Sequence, residues 1–223
     1  MWPIVGMARS VGVATSPLNA IGVVTWTGGV LSILTLASIP FRDPLYRGLA
    51  GAAEGSPLEP AVMLTAKYGL LVLVALVGVV GLRALVQDRR ELWTLVTAGA
   101  GVVTAYALSE GIKLLVEEDR PCSVHDLATV LACPGQGDWS WPSNHATLAG
   151  AAATAVVLTV PRLLVVAGPV ALLVASARVA AGVHYAHDVL SGLALGSLVV
   201  VLAVVVGRGV RGGRSSRTSN GRP

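Results

Sequence analysis

Three polar clusters interrupt a sequence that is otherwise mostly apolar, and the first of them carries cations. Lys113 and Arg120 are seven residues apart, almost two helical turns, so both side chains can lie on one face of a helix. A third cation, Arg178, belongs to a later cluster. Fixed cations suit a phosphoryl group, whose oxygens carry negative charge. We therefore predict that Lys113, Arg120 and Arg178 bind phosphate.

Two histidines and an aspartate supply candidate catalytic groups. His145 and His184 can act as acid, base or nucleophile near neutral pH. Asp188 follows His184 by four residues, a spacing that puts both side chains on one helix face. A carboxylate there can accept a proton from one ring nitrogen and turn the other nitrogen toward phosphorus.

The cluster that contains His145 opens a predicted helix. The N-terminus of a helix presents free backbone N–H groups and a positive dipole, which favour an anion. Ser143 and Asn144 therefore join the candidate phosphate-binding residues. No Cys/His cluster has zinc spacing and no dense carboxylate group suggests magnesium, so we expect neither a metal nor a cofactor.

The composition indicates the medium in which these groups work. The chain has 223 residues, of which 54% are hydrophobic and 13% are charged, and its mean hydropathy is +0.73. Soluble domains carry about 25% charged residues. The composition therefore excludes an ordinary soluble enzyme, a disordered tail and a nucleic-acid binder. The net charge of +4 is explained by basic residues at one membrane face, so no nucleic acid is expected as a partner.

Six apolar runs have the length of membrane-spanning helices or come close to it, since about 20 residues cover the bilayer core. They fall at about residues 20–39, 61–82, 93–116, 145–160, 163–183 and 188–206. We predict an all-α, polytopic six-helix bundle over residues 1–207 and a basic, disordered tail over residues 208–223. Residues 41–60, rich in Pro and Gly, are predicted to form an outer loop on the membrane surface.

The distribution of Lys and Arg predicts the orientation in the plasma membrane. Most of them lie in alternate non-membrane segments, which the positive-inside rule assigns to the cytoplasm. Both termini then face the cytoplasm, and the three polar clusters lie at the extracytoplasmic ends of their helices. Cys122 and Cys133 lie on that side too, where a disulfide is permitted, and we predict that they are bonded. The oligomeric state is left open.

Written as motifs, the clusters read K-x6-R-P over residues 113–121, P-S-N-H over residues 142–145, and R-x5-H-x3-D over residues 178–188. In this order they resemble the three signature motifs of the type 2 phosphatidic acid phosphatase family, which includes polyprenyl-diphosphate phosphatases. The motifs cover residues 113–188, and the six-span plan extends the resemblance over most of the chain.

The resemblance implies a metal-independent reaction with defined roles. His184 attacks phosphorus and forms a phosphohistidine, Asp188 orients His184, and His145 protonates the leaving oxygen and then helps to activate water. By the same resemblance, the phosphoryl oxygens are held by Lys113, Arg120, Ser143, the backbone of Asn144, and Arg178.

Two positions depart from the family's pattern. Asn144 stands where Gly is usual, and its side chain is expected to narrow the phosphate pocket. Ala177 stands where Ser is usual, with Ser176 one place earlier, so one hydrogen bond is in doubt. His187 is not expected to act directly, because on a helix it points about 100° away from its neighbour Asp188.

The family implies an integral membrane phosphatase acting on a lipid phosphate or diphosphate at the outer face. Polyprenyl diphosphate is the first choice of substrate, and phosphatidate or phosphatidylglycerophosphate is the second. Two alternatives stay open. One is a lipid phosphotransferase that passes the same phosphohistidine group to an alcohol. The other is a small non-enzymatic transporter with charges in its spans.

Overall fold

Helices form every regular element that the computed structural model shows. It describes residues 16–219, with the backbone alone for Pro17 and for residues 212–219. The predicted all-α fold is confirmed. The helices in chain order are α1 (Pro17–Ser38), α2 (Arg42–Ala53), α3 (Glu59–Gln87), α4 (Arg89–Val116), α5 (Pro121–Val124), α6 (Asn144–Thr159), α7 (Leu164–Ala180) and α8 (Ala186–Ser219).

Several of these helices are suited to a bilayer. Within residues 16–219, five segments are long and apolar enough to span it, namely Leu18–Ala53, Glu59–Gln87, Arg89–Val124, Pro161–Ala180 and Ala186–Arg211. Apolar side chains such as Leu71 and Leu82, which are 60% and 68% exposed, face outward from them. A soluble protein rarely exposes such a surface. The chain is therefore a multi-pass membrane protein.

The fourth predicted span, at about residues 145–160, corresponds to α6 and is shorter than the other spans. Its 16 residues cover about 24 Å, less than the roughly 30 Å hydrocarbon core. The six-span count and the cytoplasmic placement of both termini therefore stay predictions.

Helix α6 lies at the centre of the bundle. It packs against α3, α4, α7 and α8, and every residue from Ala149 to Thr159 is buried. Most of these residues are small, which lets neighbouring backbones come close. The P-S-N-H motif at the start of α6 is thereby held on a helix that is enclosed by protein.

Helix α8 crosses α6 at two glycines that leave no room for a side chain. A Cβ at Gly196 would lie 2.0 Å from the carbonyl oxygen of Thr147, and one at Gly192 would lie 2.6 Å from that of Ser143. This close approach brings the first turn of α8, with Asp188, against the first turn of α6.

The segment 41–60 differs from the predicted loop because it contains α2. Tyr46, Ala50 and Ala53 form its buried stripe, at the i, i+4, i+7 spacing of an amphipathic helix. The Tyr46 hydroxyl donates to the carbonyl oxygen of Gly182 over 3.3 Å, just before the third motif's histidine. Apolar periodicity therefore outweighs the Pro and Gly content on which the loop prediction rested.

Helix α8 does not end at Gly207, the last residue of the predicted membrane domain, and the division into a domain and a disordered tail stays a prediction. The helix continues through Arg208 to Ser219. Contacts with α4 support this extension. A Cβ at Gly207 would lie 2.5 Å from the Thr97 side chain, and the Arg211 guanidinium lies 5.2 Å from the centre of the Trp93 ring. The predicted domain start at residue 1 and the tail residues 220–223 lie outside the described residues.

Candidate active site

The three predicted clusters meet at one end of the bundle, where hydrogen bonds join them. The backbone N–H of Ser143 donates to the carbonyl oxygen of Asp188 over 3.0 Å. The Arg120 guanidinium donates to the carbonyl oxygen of Val183 over 2.9 Å. These bonds tie the second motif to the third and the first motif to the third.

His184 lies in the turn between α7 and α8 and is only 1% exposed. Its Nδ1 is 3.2 Å from Asp188 Oδ2, and its Nε2 is 3.1 Å from a guanidinium nitrogen of Arg120. Burial, together with the charges of Arg120, Arg178 and Lys113, holds the pKa of His184 well below its usual value. The ring is therefore neutral at pH 7, and Asp188 places the proton on Nδ1.

Asp188 is fully buried and receives several donors. Its Oδ2 accepts from the Ser140 hydroxyl and from the backbone N–H of Tyr185 over 2.8 Å. These bonds fix the carboxylate beneath the His184 ring. Ser140 belongs to no motif, and no sequence pattern marks it.

Five predicted phosphate-binding residues belong to the clusters that meet at this end of the bundle, and we call them the phosphate cradle. They are Lys113, Arg120, Ser143, Asn144 and Arg178. Two of them, Lys113 and Arg120, converge on Asp138, whose Oδ1 is 3.4 Å from Lys113 Nζ and 2.8 Å from a nitrogen of Arg120. Burial acts to raise the pKa of Asp138, but the bonds and charges of Arg120 and Lys113 lower it below its usual value.

The other side of the cradle has unused donors. Ser143 Oγ and Arg178 Nε are buried and, within residues 16–219, have no hydrogen-bond partner. A terminal nitrogen of Arg178 reaches the carbonyl oxygen of Ala66 on α3 at 3.4 Å. Buried polar groups are normally paired, so these two are the groups that a bound anion would satisfy.

His145 lies half-buried in the first turn of α6. In the described part of the chain, no side chain or backbone group hydrogen-bonds to its ring, which leaves both nitrogens available to a substrate.

The structure shows the surroundings of Asn144 and Ala177, the two residues that depart from the family's pattern. The Asn144 side chain, expected to narrow the pocket, is instead tied to α4, where it donates to Glu110 and accepts from Ser109 Oγ over 2.8 Å. Ala177 packs in a small apolar cluster. Ser176 does not replace its hydroxyl, because it donates to the Leu172 carbonyl of its own helix.

A further layer behind the site corrects the expectation for His187. Its Nε2 lies 3.1 Å from Asp188 Oδ1 and 3.1 Å from Glu118 Oε2, and Glu118 also pairs with Arg42 of α2 at 3.2 Å. The angle of about 100° per residue describes only the direction of the Cα–Cβ bond. The imidazole ring of His187 extends beyond Cβ and is long enough to reach the Asp188 carboxylate. His187 therefore contacts the carboxylate that orients His184.

This layer is also the His/carboxylate group that comes closest to a metal-ligand set in the described chain. Ligand atoms of Glu118, His187 and Asp188 lie within 4.8 Å of one another. One nitrogen of His187 lies 3.1 Å from an oxygen of each carboxylate, while Asp188 Oδ1 and His187 Nδ1 have no hydrogen-bond partner among the described residues. The absence of a metal cofactor stays a prediction.

Cys122 and Cys133 are joined by the disulfide that the sequence predicted. The bridge lies in the segment between α4 and α6, which also carries Arg120, Asp138 and Ser140. It closes the part of this segment that comes before Asp138.

Comparisons with known proteins identify the family of the chain. The family model described as PAP2 superfamily matches residues 94–210, more than half of the chain. A decaprenylphosphoryl-5-phosphoribose phosphatase of Mycobacterium tuberculosis is 38% identical over 136 residues, which are 60% of this chain and 71% of the relative. An undecaprenyl-diphosphatase of Sulfolobus acidocaldarius is 34% identical over 112 residues, which are 50% and 54% of the two chains.

The fold is also similar to a solved structure. A transmembrane PAP2-type phosphatidylglycerolphosphate phosphatase from Bacillus subtilis aligns with a TM-score of 0.56 and 23% identity, covering 87% of this chain and 97% of the other. The family match confirms the resemblance drawn from the motifs. The chain belongs to the PAP2 superfamily, and its relatives there are membrane lipid phosphatases.

Proposed function

We propose that this PAP2 protein is a metal-independent phosphatase that hydrolyses the phosphate or diphosphate of a polyprenyl lipid through a phosphohistidine on His184. The observation that carries the proposal is the state of the His184 ring. It is buried and neutral, Asp188 holds Nδ1, and Nε2 faces the cationic side of the site. A nucleophile for phosphorus needs this arrangement.

In the first half-reaction, the lone pair of His184 Nε2 attacks phosphorus. The bond between phosphorus and the leaving oxygen breaks, and that oxygen takes a proton from protonated His145. Asp188 accepts the hydrogen bond from Nδ1–H and stabilises the positive charge that develops on the ring. Arg120, now beside Nε2, donates to a phosphoryl oxygen once substrate is bound.

In the second half-reaction, His145, now neutral, takes a proton from water while the water oxygen attacks phosphorus. The bond between phosphorus and Nε2 breaks, its electrons return to His184, and inorganic phosphate leaves. The phosphate cradle stabilises the charge on the three equatorial oxygens in both steps. The unpaired Ser143 Oγ and Arg178 Nε support this role, since an anion between them would complete their hydrogen bonding.

Two apolar cavities support a lipid substrate. One, of about 540 Å³, lies between α3, α7 and α8 and is bordered by Ala177 and Val179, the neighbours of Arg178. The other, of about 130 Å³, lies between α1, α6, α7 and α8, and both are lined by Leu172 and Leu193. A long chain could follow them along α7 while its head group reaches the cradle. The decaprenyl and undecaprenyl names of two relatives favour a polyprenyl chain.

We place the reaction at the extracytoplasmic face of the plasma membrane. The site lies at the end of the bundle formed by the start of α6 and α8. Exposed arginines such as Arg89 and Arg90 lie at the start of α4, the opposite end of the helix that ends near Lys113. The positive-inside rule assigns that arginine-rich end to the cytoplasm.

The test is phosphate release by purified protein in detergent with EDTA present. Undecaprenyl diphosphate, phosphatidate and phosphatidylglycerophosphate are compared side by side. We expect release from the polyprenyl lipid to be fastest and to fall by at least about a thousandfold in His184→Ala, because the nucleophile is removed. The matched control is His125→Asn, which changes a histidine outside the proposed catalytic set and should keep most of the activity.

Other outcomes would redirect the proposal. Release that needs an added divalent metal, or that survives in His184→Ala, contradicts the mechanism. Faster release from phosphatidate contradicts the substrate class but leaves the mechanism intact. Transfer of phosphate to an added alcohol, with little free phosphate, would identify the phosphotransferase alternative.

A further inference from the structure

An aspartate of the protein occupies part of the phosphate cradle. Asp138 Oδ1 accepts from Arg120 over 2.8 Å and lies 3.4 Å from Lys113 Nζ. The two cationic side chains are each 6% exposed, whereas the Asp138 side chain is 52% exposed. The carboxylate thus covers the two cations from the solvent side.

A carboxylate and a phosphoryl group use the same donors, because both present anionic oxygens to Lys and Arg. One oxygen position between Lys113 and Arg120 cannot hold both. We propose that Asp138 is a specificity-determining residue, an internal anion that the phosphoryl group of the substrate must displace. This inference rests on the proposed function, because it takes Lys113 and Arg120 as phosphate ligands.

The structure gives the carboxylate a place to move. The Asp138 carbonyl oxygen accepts separately from Arg120 Nε over 2.7 Å, so the backbone can stay bound when the side chain leaves. A polar cavity of about 400 Å³, lined among others by Gln136 and Asp138, adjoins Arg120. Rotation of the side chain toward this cavity would free both cations.

Displacement selects substrates by their charge. A terminal phosphate carries up to two negative charges near neutral pH, so it outcompetes a carboxylate with one. A phosphodiester also has one charge and gains no such advantage. The displacement cost is the same for every anion, so Asp138 sets a threshold of affinity that the more highly charged terminal phosphates and diphosphates pass and that the phosphodiester head groups of bulk phospholipids do not.

The test compares Asp138→Asn and Asp138→Ala with Asp126→Asn in the full-length protein in detergent. Asp126 is an exposed aspartate of the same segment, and within the described chain it forms no ion pair. The probes are inorganic phosphate and short-chain phosphatidylglycerol, a phosphodiester, as inhibitors of phosphate release. We expect both inhibition constants to fall by about fivefold in the Asp138 variants, the effect of removing one partly exposed charge. Asp126→Asn should change neither.

Both variants remove the Asp138 charge, so either one is sufficient for the test if the other does not fold. Unchanged or higher inhibition constants in the folded variant would overturn the proposal, because Asp138 would then only support Arg120. Binding of inorganic phosphate is also measured without turnover, as the rise in Tm that it causes. Tighter phosphate binding by the variants, in a protein that hydrolyses no lipid, would keep the anion competition and reject the proposed function.

Discussion

At His184 the surroundings determine which protonation state the enzyme uses. The imidazolium form is penalised because the ring is buried and because three cations lie around it. The same cations that are proposed to bind the substrate therefore also keep the nucleophile neutral. Asp188 contacts the ring only through Nδ1, which leaves Nε2 as the atom that we propose attacks phosphorus.

This environment predicts the position of the acid limb of the pH–rate profile. The folded pKa of His184 lies well below 6.5, so lowering the pH from 7 to 6 should not protonate it. We expect the fall of kcat/KM due to His184 to begin only at more acidic pH. The measurement is kcat/KM between pH 4 and 9 with a soluble substrate.

A protonation step of the enzyme at or above pH 6.5 on the acid side would contradict this assignment. The pH-dependence of the free substrate's phosphate is measured separately and subtracted. Asp126→Asn serves as the control, since its profile should superimpose on that of the unmodified protein.

At the scale of helices, the site depends on how closely α6 and α8 approach. Gly192 and Gly196 let the backbone of α8 touch that of α6. The first turn of α6 carries His145, and the first turn of α8 carries Asp188. The distance between His145, the proposed acid, and Asp188 is therefore determined by two glycines, whose lack of a side chain permits the close approach.

The crossing predicts unequal effects of two glycine substitutions in one helix. Gly196→Ala should lower stability by about 2–3 kcal/mol, because its Cβ would lie 2.0 Å from a backbone oxygen. Gly209→Ala, with nothing within 4 Å of its Cβ, should be neutral or stabilising by up to about 1 kcal/mol. Thermal unfolding in detergent measures both. Equal effects would mean that the helices are farther apart than described.

At the scale of the whole molecule, the catalytic end and the arginine-rich end are opposite each other. We predict that a cysteine replacing Asp126 reacts with a membrane-impermeant maleimide in intact cells. One replacing Arg89 should react only after the cells are opened. Both positions are exposed, and the native cysteines are bonded to each other, so the unmodified chain is the unreactive control. The reverse labelling pattern would move the site to the cytoplasmic face.

Much of this molecule could be predicted because the relevant signals are local. Apolar runs identified the long helices, and the motifs identified His184, Asp188 and Arg120. Asp138 and Ser140 were missed because their partners are 18 and 48 residues away in sequence. These contacts form only when the segment between α4 and α6 folds over the site. No short sequence pattern predicts the path of that segment. The roles of the predicted residues stay proposals.

The enclosure of α6 separates the enzyme's chemistry from the lipid composition of its host. Bilayers differ in thickness by several ångströms, and helices that face lipid adapt by tilting. Helix α6 is surrounded by protein on all sides, so such adjustments fall on the peripheral helices while the P-S-N-H turn stays in register with α8. We therefore expect the geometry of the proposed catalytic centre to depend little on the thickness of the surrounding bilayer.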